Sequence, residues 1–78
     1  MPTILNLDGY RFFFFAREGT EPPHVHVEKA GHEVKFWLEP PVLARNHGFP
    51  AHELRTIKVM VEKNHERLLE AWNARDPR

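Results

Sequence analysis

Apolar residues in the first half of the chain alternate with polar ones in short runs, and each run stops at a Gly or Pro cluster. That is the period of strands rather than helices. Ile4 to Leu7 and Tyr10 to Ala16 flank Asp8-Gly9, a dipeptide suited to a two-residue hairpin because both central residues need positive φ. The pairing it predicts sets Leu7 against Tyr10, Asn6 against Arg11, Leu5 against Phe12 and Ile4 against Phe13. Residues 17–23, REGTEPP, read as a loop broken by Gly19 and the two prolines. The unit His24 to Leu38 folds back at Ala30-Gly31, which places Val27 opposite Val34, Val25 opposite Phe36 and His26 opposite Lys35. One face then holds Val25, Val27, Val34, Phe36 and Leu38. The other holds His24, His26, Glu28, Glu33, Lys35 and Trp37. Slipping the register by one residue would mix the two faces, so the pattern selects this pairing. A four-residue loop, Lys29 to His32, preserves the same assignment.

Glu39-Pro40-Pro41 ends that strand, because proline has no ladder donor. Val42 to Asn46 fits a short helix or an edge strand, and Gly48 closes it. From about residue 50 to 74 the spacing changes to three and four, with Leu54, Ile57, Val61, Leu68 and Trp72 along one stripe. Phe49 and Leu54 are placed for a hydrophobic staple, with Glu53 in the first turn. Asn64 and His65 interrupt the stripe, and Asp76-Pro77 ends it. The predicted fold is α+β: about four mainly antiparallel strands (about 3–7, 10–16, 24–29 and 33–38) in two hairpins. One long C-terminal helix covers the valine-rich face. If the hairpins align, Ile4, Arg11, Phe13 and Phe15 join the histidines on an uncovered outer face.

Length adds one constraint: 78 residues make one domain at most. A chain of this size buries only about 60% of its unfolded surface, so a partner protein or a homodimer is a natural source of extra buried area. Without cysteine there are neither disulfides nor thiolate ligands. Eleven basic and eleven acidic residues cancel, so no net field draws the chain to nucleic acid or membrane. Six histidines make it more cationic in mild acid. No run approaches the roughly 20 apolar residues of a membrane span, and a cytoplasmic location is expected.

Candidate chemistry lies on the outer face. Two strand histidines one residue apart point to one side, with Cα atoms roughly 6–7 Å apart. His24 and His26, with Glu28, have the donor types for zinc, although Lys35 opposite His26 repels a cation. No other cofactor is implied. As acid and base beside Lys35, the same histidines fit metal-independent cleavage of RNA, with Arg11, Phe13, Phe15 and Trp37 as binding residues. An apolar sheet face rimmed by charge also fits a protein interface. His65, on the helix stripe, suits a hydrogen-bonded core histidine better than a ligand.

GYRFFF (Gly9 to Phe14), EPPHVHVE (Glu21 to Glu28) and KFWL (Lys35 to Leu38) together resemble the signature of a family of small bacterial proteins that share a domain of unknown function. The resemblance runs from Met1 to about Trp72. It implies a protein encoded beside another small protein, in pairs of toxin–antitoxin type, and it carries no catalytic residues. Members often have Ser after the Gly-Phe pair, where this chain has Pro50. Protein contact within such a pair is the expected function, ahead of an RNA-binding or ribonuclease toxin and of a zinc protein.

Overall fold

The computed structural model of the chain describes residues 3–15 and 21–75. Five strands form one antiparallel sheet in chain order: β1 (Thr3–Leu7), β2 (Tyr10–Phe13), β3 (His24–Lys29), β4 (His32–Leu38) and β5 (Pro41–His47). Two helices follow, α1 (Ala51–Lys63) and α2 (His65–Ala74). Both hairpins turn where expected. Asp8 and Gly9 have φ of 50° and 85°, and Ala30 and Gly31 have 52° and 84°, so both central residues of each two-residue turn take positive φ, which matches the right-handed twist of the paired strands. The predicted register of β3 on β4 is the observed one, with Val27 on Val34, Val25 on Phe36 and His26 on Lys35. The two hairpins also align: Phe12 faces Val27 and Phe13 faces His26.

The sheet differs from expectation in three respects. The β1–β2 register shifts between Thr3 and Leu5, so Thr3, and not Ile4, opposes Phe13. The extra residue turns Ile4 toward the core, where it packs half-buried instead of joining the outer face. β2 stops at Phe13, and Phe14 and Phe15 lie outside the strand that was expected to run to residue 16; residue 16 itself and most of the 17–23 loop lie outside the described residues, as does the expected stop at Asp76-Pro77. Residues 41–47 form a fifth strand rather than leaving four. Its sequence hides this because it pairs on one side only. It also carries a bulge opposite Lys35 and Phe36, which breaks the alternation at Ala44. Pro41 stands at the first position, where a missing donor is tolerated, and the preceding Glu39–Pro40 bond is cis.

The expected single helix is two helices. Asn64 has φ −109° and ψ 18°, outside helical geometry, and its side-chain Nδ2 donates to the Met60 carbonyl. His65 then aims its Nε2 at the Leu38 carbonyl at the end of β4. The break lets one apolar stripe follow the sheet: α1 lies against β4 and β5, and α2 against β4. Ile57, Val61 and Leu68 are fully buried on the valine face with Val25, Val27, Val34, Phe36 and Leu38. Each side chain of this size stabilises the fold by roughly 1.5–3 kcal/mol relative to exposure.

The start of α1 is held by unusual means. Pro50 supplies no side-chain cap. Instead the Asn46 side chain brackets Phe49, donating to its carbonyl at 2.9 Å and accepting its N–H at 3.1 Å. Phe49 is buried against the rings of Tyr10 and His32. The Tyr10 hydroxyl donates to Glu53 at 2.6 Å, tying the helix to β2. That bond, reinforced by desolvation and by the charges of Glu53 and Asp8, pushes the Tyr10 pKa up to about 12.

Two predictions follow from this corner. A raised phenol pKa means that the folded state favours the protonated form. The stabilisation is therefore complete below pH ~10 and disappears as pH rises toward about 12. Because Tyr10 is the chain's single tyrosine, an ultraviolet titration should show one phenolate step near pH 12. Tyr10→Phe should abolish that step and cost about 1–2 kcal/mol in urea unfolding. Gly48→Ala should cost about 1–3 kcal/mol in the same assay. Its φ is 106°, and an added Cβ would overlap His32 Nδ1.

Candidate functional site

The residues singled out on the outer face do come together. His24 and His26 occupy alternate positions on β3, with Phe13 of β2 on one side and Lys35 and Trp37 of β4 on the other. Their rings meet edge to face, 5.3 Å between centroids. His26 stacks on Phe13 at 5.5 Å and takes the edge of Phe15 at 4.3 Å. His24 touches Trp37 at 5.7 Å and, from the helical layer, Trp72 at 4.8 Å. The run Phe12 to Phe15 divides as expected: Phe12 and Phe14 enter the main core, while Phe13 and Phe15 belong to this outer cluster.

The face is not uncovered, however. His24 is 0% and His26 3% exposed, and Phe13 is equally buried, so only Phe15 among these rings stands open at 36%. Trp37 is half-buried. The His24 Nδ1–H donates to the Pro22 carbonyl at 2.9 Å, which in the neutral ring places the lone pair on Nε2.

Around the histidines, carboxylates and bases on this face are paired. Arg11 binds Glu28 at 2.8 Å, donates to Thr3 Oγ1 at 3.2 Å and lies 4.2 Å over the Phe13 ring. Lys35 binds Glu21 and lies 4.7 Å over Trp37. The Lys35 hydrogen bond, helped by the charges of Lys35, His24 and Arg45, holds the Glu21 carboxyl below its ordinary range against the opposing effect of desolvation. Glu33 stands 3.4 Å from His26 Nδ1. Each of the three carboxylates thus has its own base, and the cations cover aromatic faces, a contact worth roughly 0.5–1 kcal/mol where exposed.

This geometry bears on each candidate. Glu28, the expected third metal ligand, is held by Arg11. Among the described residues, no group of three or more His, Asp or Glu side chains is placed to share one metal ion. Lys35 and Arg11, cast as phosphate-binding cations, are engaged with carboxylates. Two members of the cluster escaped sequence reasoning. Trp72 sits on the helix stripe and reads as a core residue; nothing local shows that it also reaches His24. Glu21 precedes the prolines and reads as loop, although its spacing from His24 by three residues is a signal for proximity.

The architecture defines a class: a small α+β protein whose five-stranded antiparallel meander is covered on one face by two helices. The chain belongs to the family described as Domain of unknown function (DUF4160), whose family model matches residues 9–73. No curated protein and no solved structure matches it. No helix among the described residues is long and apolar enough to cross a membrane.

If the histidines serve as packed members of this cluster, His24→Ala should cost about 2–4 kcal/mol by opening a cavity. His47→Ala, at an exposed position on β5, should stay within about 0.5 kcal/mol. Urea unfolding of both variants checks this, and an unchanged midpoint for His24→Ala would remove the packing role.

Proposed function

We propose that the chain works by protein–protein contact, as one member of a two-protein pair of toxin–antitoxin type in the cytoplasm. The contact surface is the outer sheet face from Phe15 across Lys35 and Trp37 to Val42. One observation carries this reading: the imidazoles are buried while Phe15 and Val42 stand 36% and 47% exposed. The face therefore presents apolar groups within a charged rim, the composition of an interface. A ribonuclease would need His24 and His26 within hydrogen-bond reach of a 2′-hydroxyl and a leaving oxygen. It would also need cations available for phosphate, whereas Arg11 and Lys35 already hold Glu28 and Glu21. The pair itself comes from the family's gene arrangement, as the sequence resemblance implies, and the absence of cysteine suits a reducing compartment.

The test is co-expression with the small protein encoded beside it, followed by sedimentation equilibrium. A one-to-one complex should form, and Phe15→Glu should weaken it at least tenfold while the circular dichroism of the free chain stays unchanged. Two results would overturn the reading. One is a concentration-dependent homodimer in place of the complex. The other is a single-stranded RNA that shifts the Phe15, Lys35 and Trp37 amides at micromolar concentration.

A further inference from the structure

β5 has a second side. Where it meets α1, Phe36, Val42, Leu43 and Leu54 line an open groove of about 240 Å³, with Arg55 and Lys58 as its remaining walls. Phe36 forms the buried floor and its β5 partner Leu43 is 42% exposed, while Val42, the partner of Trp37, borders the groove from the outer face. A large aliphatic side chain left half open over such a floor is costly to leave in water. The volume accepts one bulky apolar side chain.

The charge around this groove is one-sided. None of its six lining residues is acidic. Arg55 and Lys58 are exposed, and among the described residues neither enters an ion pair, even though Glu62 lies one turn beyond Lys58. This contrasts with the outer face, where Arg11 and Lys35 each have a carboxylate.

We propose that this groove docks an acidic segment of the partner protein, with one bulky apolar side chain seated between β5 and α1 and flanking carboxylates on Arg55 and Lys58. The proposal goes beyond the contact reading by naming the partner's chemistry, and rests on it only for the occupant being a protein. Charge complementarity selects this occupant over a second copy. A two-fold contact through the groove would set Arg55 and Lys58 against their own equivalents, with no acid among the lining residues to relieve them. Strand addition to the β5 edge is disfavoured as well, because the bulge at Ala44 and Pro41 at the start interrupt the ladder. Side-chain docking into the groove meets no such obstacle.

The probe is a blocked nonapeptide with a central Leu-Phe flanked by Glu and Asp, titrated into the nitrogen-15 labelled protein at low salt. A control peptide carries Lys in place of every acid. The acidic peptide should shift the amides of Leu43, Leu54, Arg55 and Lys58 and bind at least tenfold tighter than the control. The double variant Arg55→Glu, Lys58→Glu should invert that preference. Equal binding of both peptides, no shift at millimolar peptide, or shifts at these residues that depend on protein concentration alone would each overturn the groove. If the two-protein complex forms but the double variant leaves its affinity unchanged, the groove fails and the contact reading stands. If the acidic peptide binds as stated while no complex forms, the groove stands and the contact reading fails.

Discussion

The pairing of Val27 with Val34, set by the positive-φ turn at Ala30-Gly31, is the constraint on which the rest of the molecule depends. Side chains alternate along a strand, so that one register sends Val25, Val27, Val34 and Phe36 to one face and His24, His26, Lys35 and Trp37 to the other. A shift of one residue would put Glu33 and Lys35 on the face of Val25 and Val27 and turn Val34 and Phe36 to the other, mixing the two faces. The energetic gap between the two registers therefore includes much of the inner core. β2 then extends the same division by pairing Phe12 with Val27 and Phe13 with His26, and the helices can cover only the face that remains apolar.

A small sheet covered on one side must still do something with its other side. Here the outer face builds a second, aromatic layer from Phe13, Phe15, Trp37 and the two imidazoles, and Trp72 reaches it from α2. Arg11 and Lys35 lie over the rings, and Glu28 and Glu21 neutralise them. The result is a face whose exposed large apolar side chains are Phe15 and Val42. Arg55 and Lys58, beside the β5 groove, have no such partners among the described residues. Carboxylates held by Arg11 and Lys35 on one surface, and two cations beside an apolar groove on the other, are a physical reason to give the two surfaces different roles.

His24 and His65 illustrate how one residue type serves different ends in one fold. His65 interrupts an apolar stripe, which reads as a defect along the chain. In space it reaches the Leu38 carbonyl, a backbone acceptor at the end of β4, and the helix breaks at Asn64 on its way there. His24 donates to the Pro22 carbonyl and packs against two tryptophans. Both are buried or half-buried polar groups that find a backbone partner, as buried polar groups generally must.

Local chemistry alone determined the two hairpins, their turns, the register of β3 on β4, the division of Phe12 to Phe15 between faces and the apolar stripe of the helical segment. Each of these depends on neighbours close in sequence: positive-φ turn residues, a period of two, or a period near 3.6. The outer face was legible in pairs, because Arg11 and Phe13, His24 and His26, and Lys35 and Trp37 each alternate along their own strand, while the alignment of the two hairpins came from the sheet. Only the tertiary structure decided that 41–47 is a strand, since an edge strand with a bulge carries no clean alternation and is defined by β4 beside it. Only packing decided the break at Asn64, the inward turn of Ile4 and the reach of Trp72 to His24. Burial of the imidazoles belongs with these: whether a strand histidine meets water depends on what lies over it, and nothing within the strand records that.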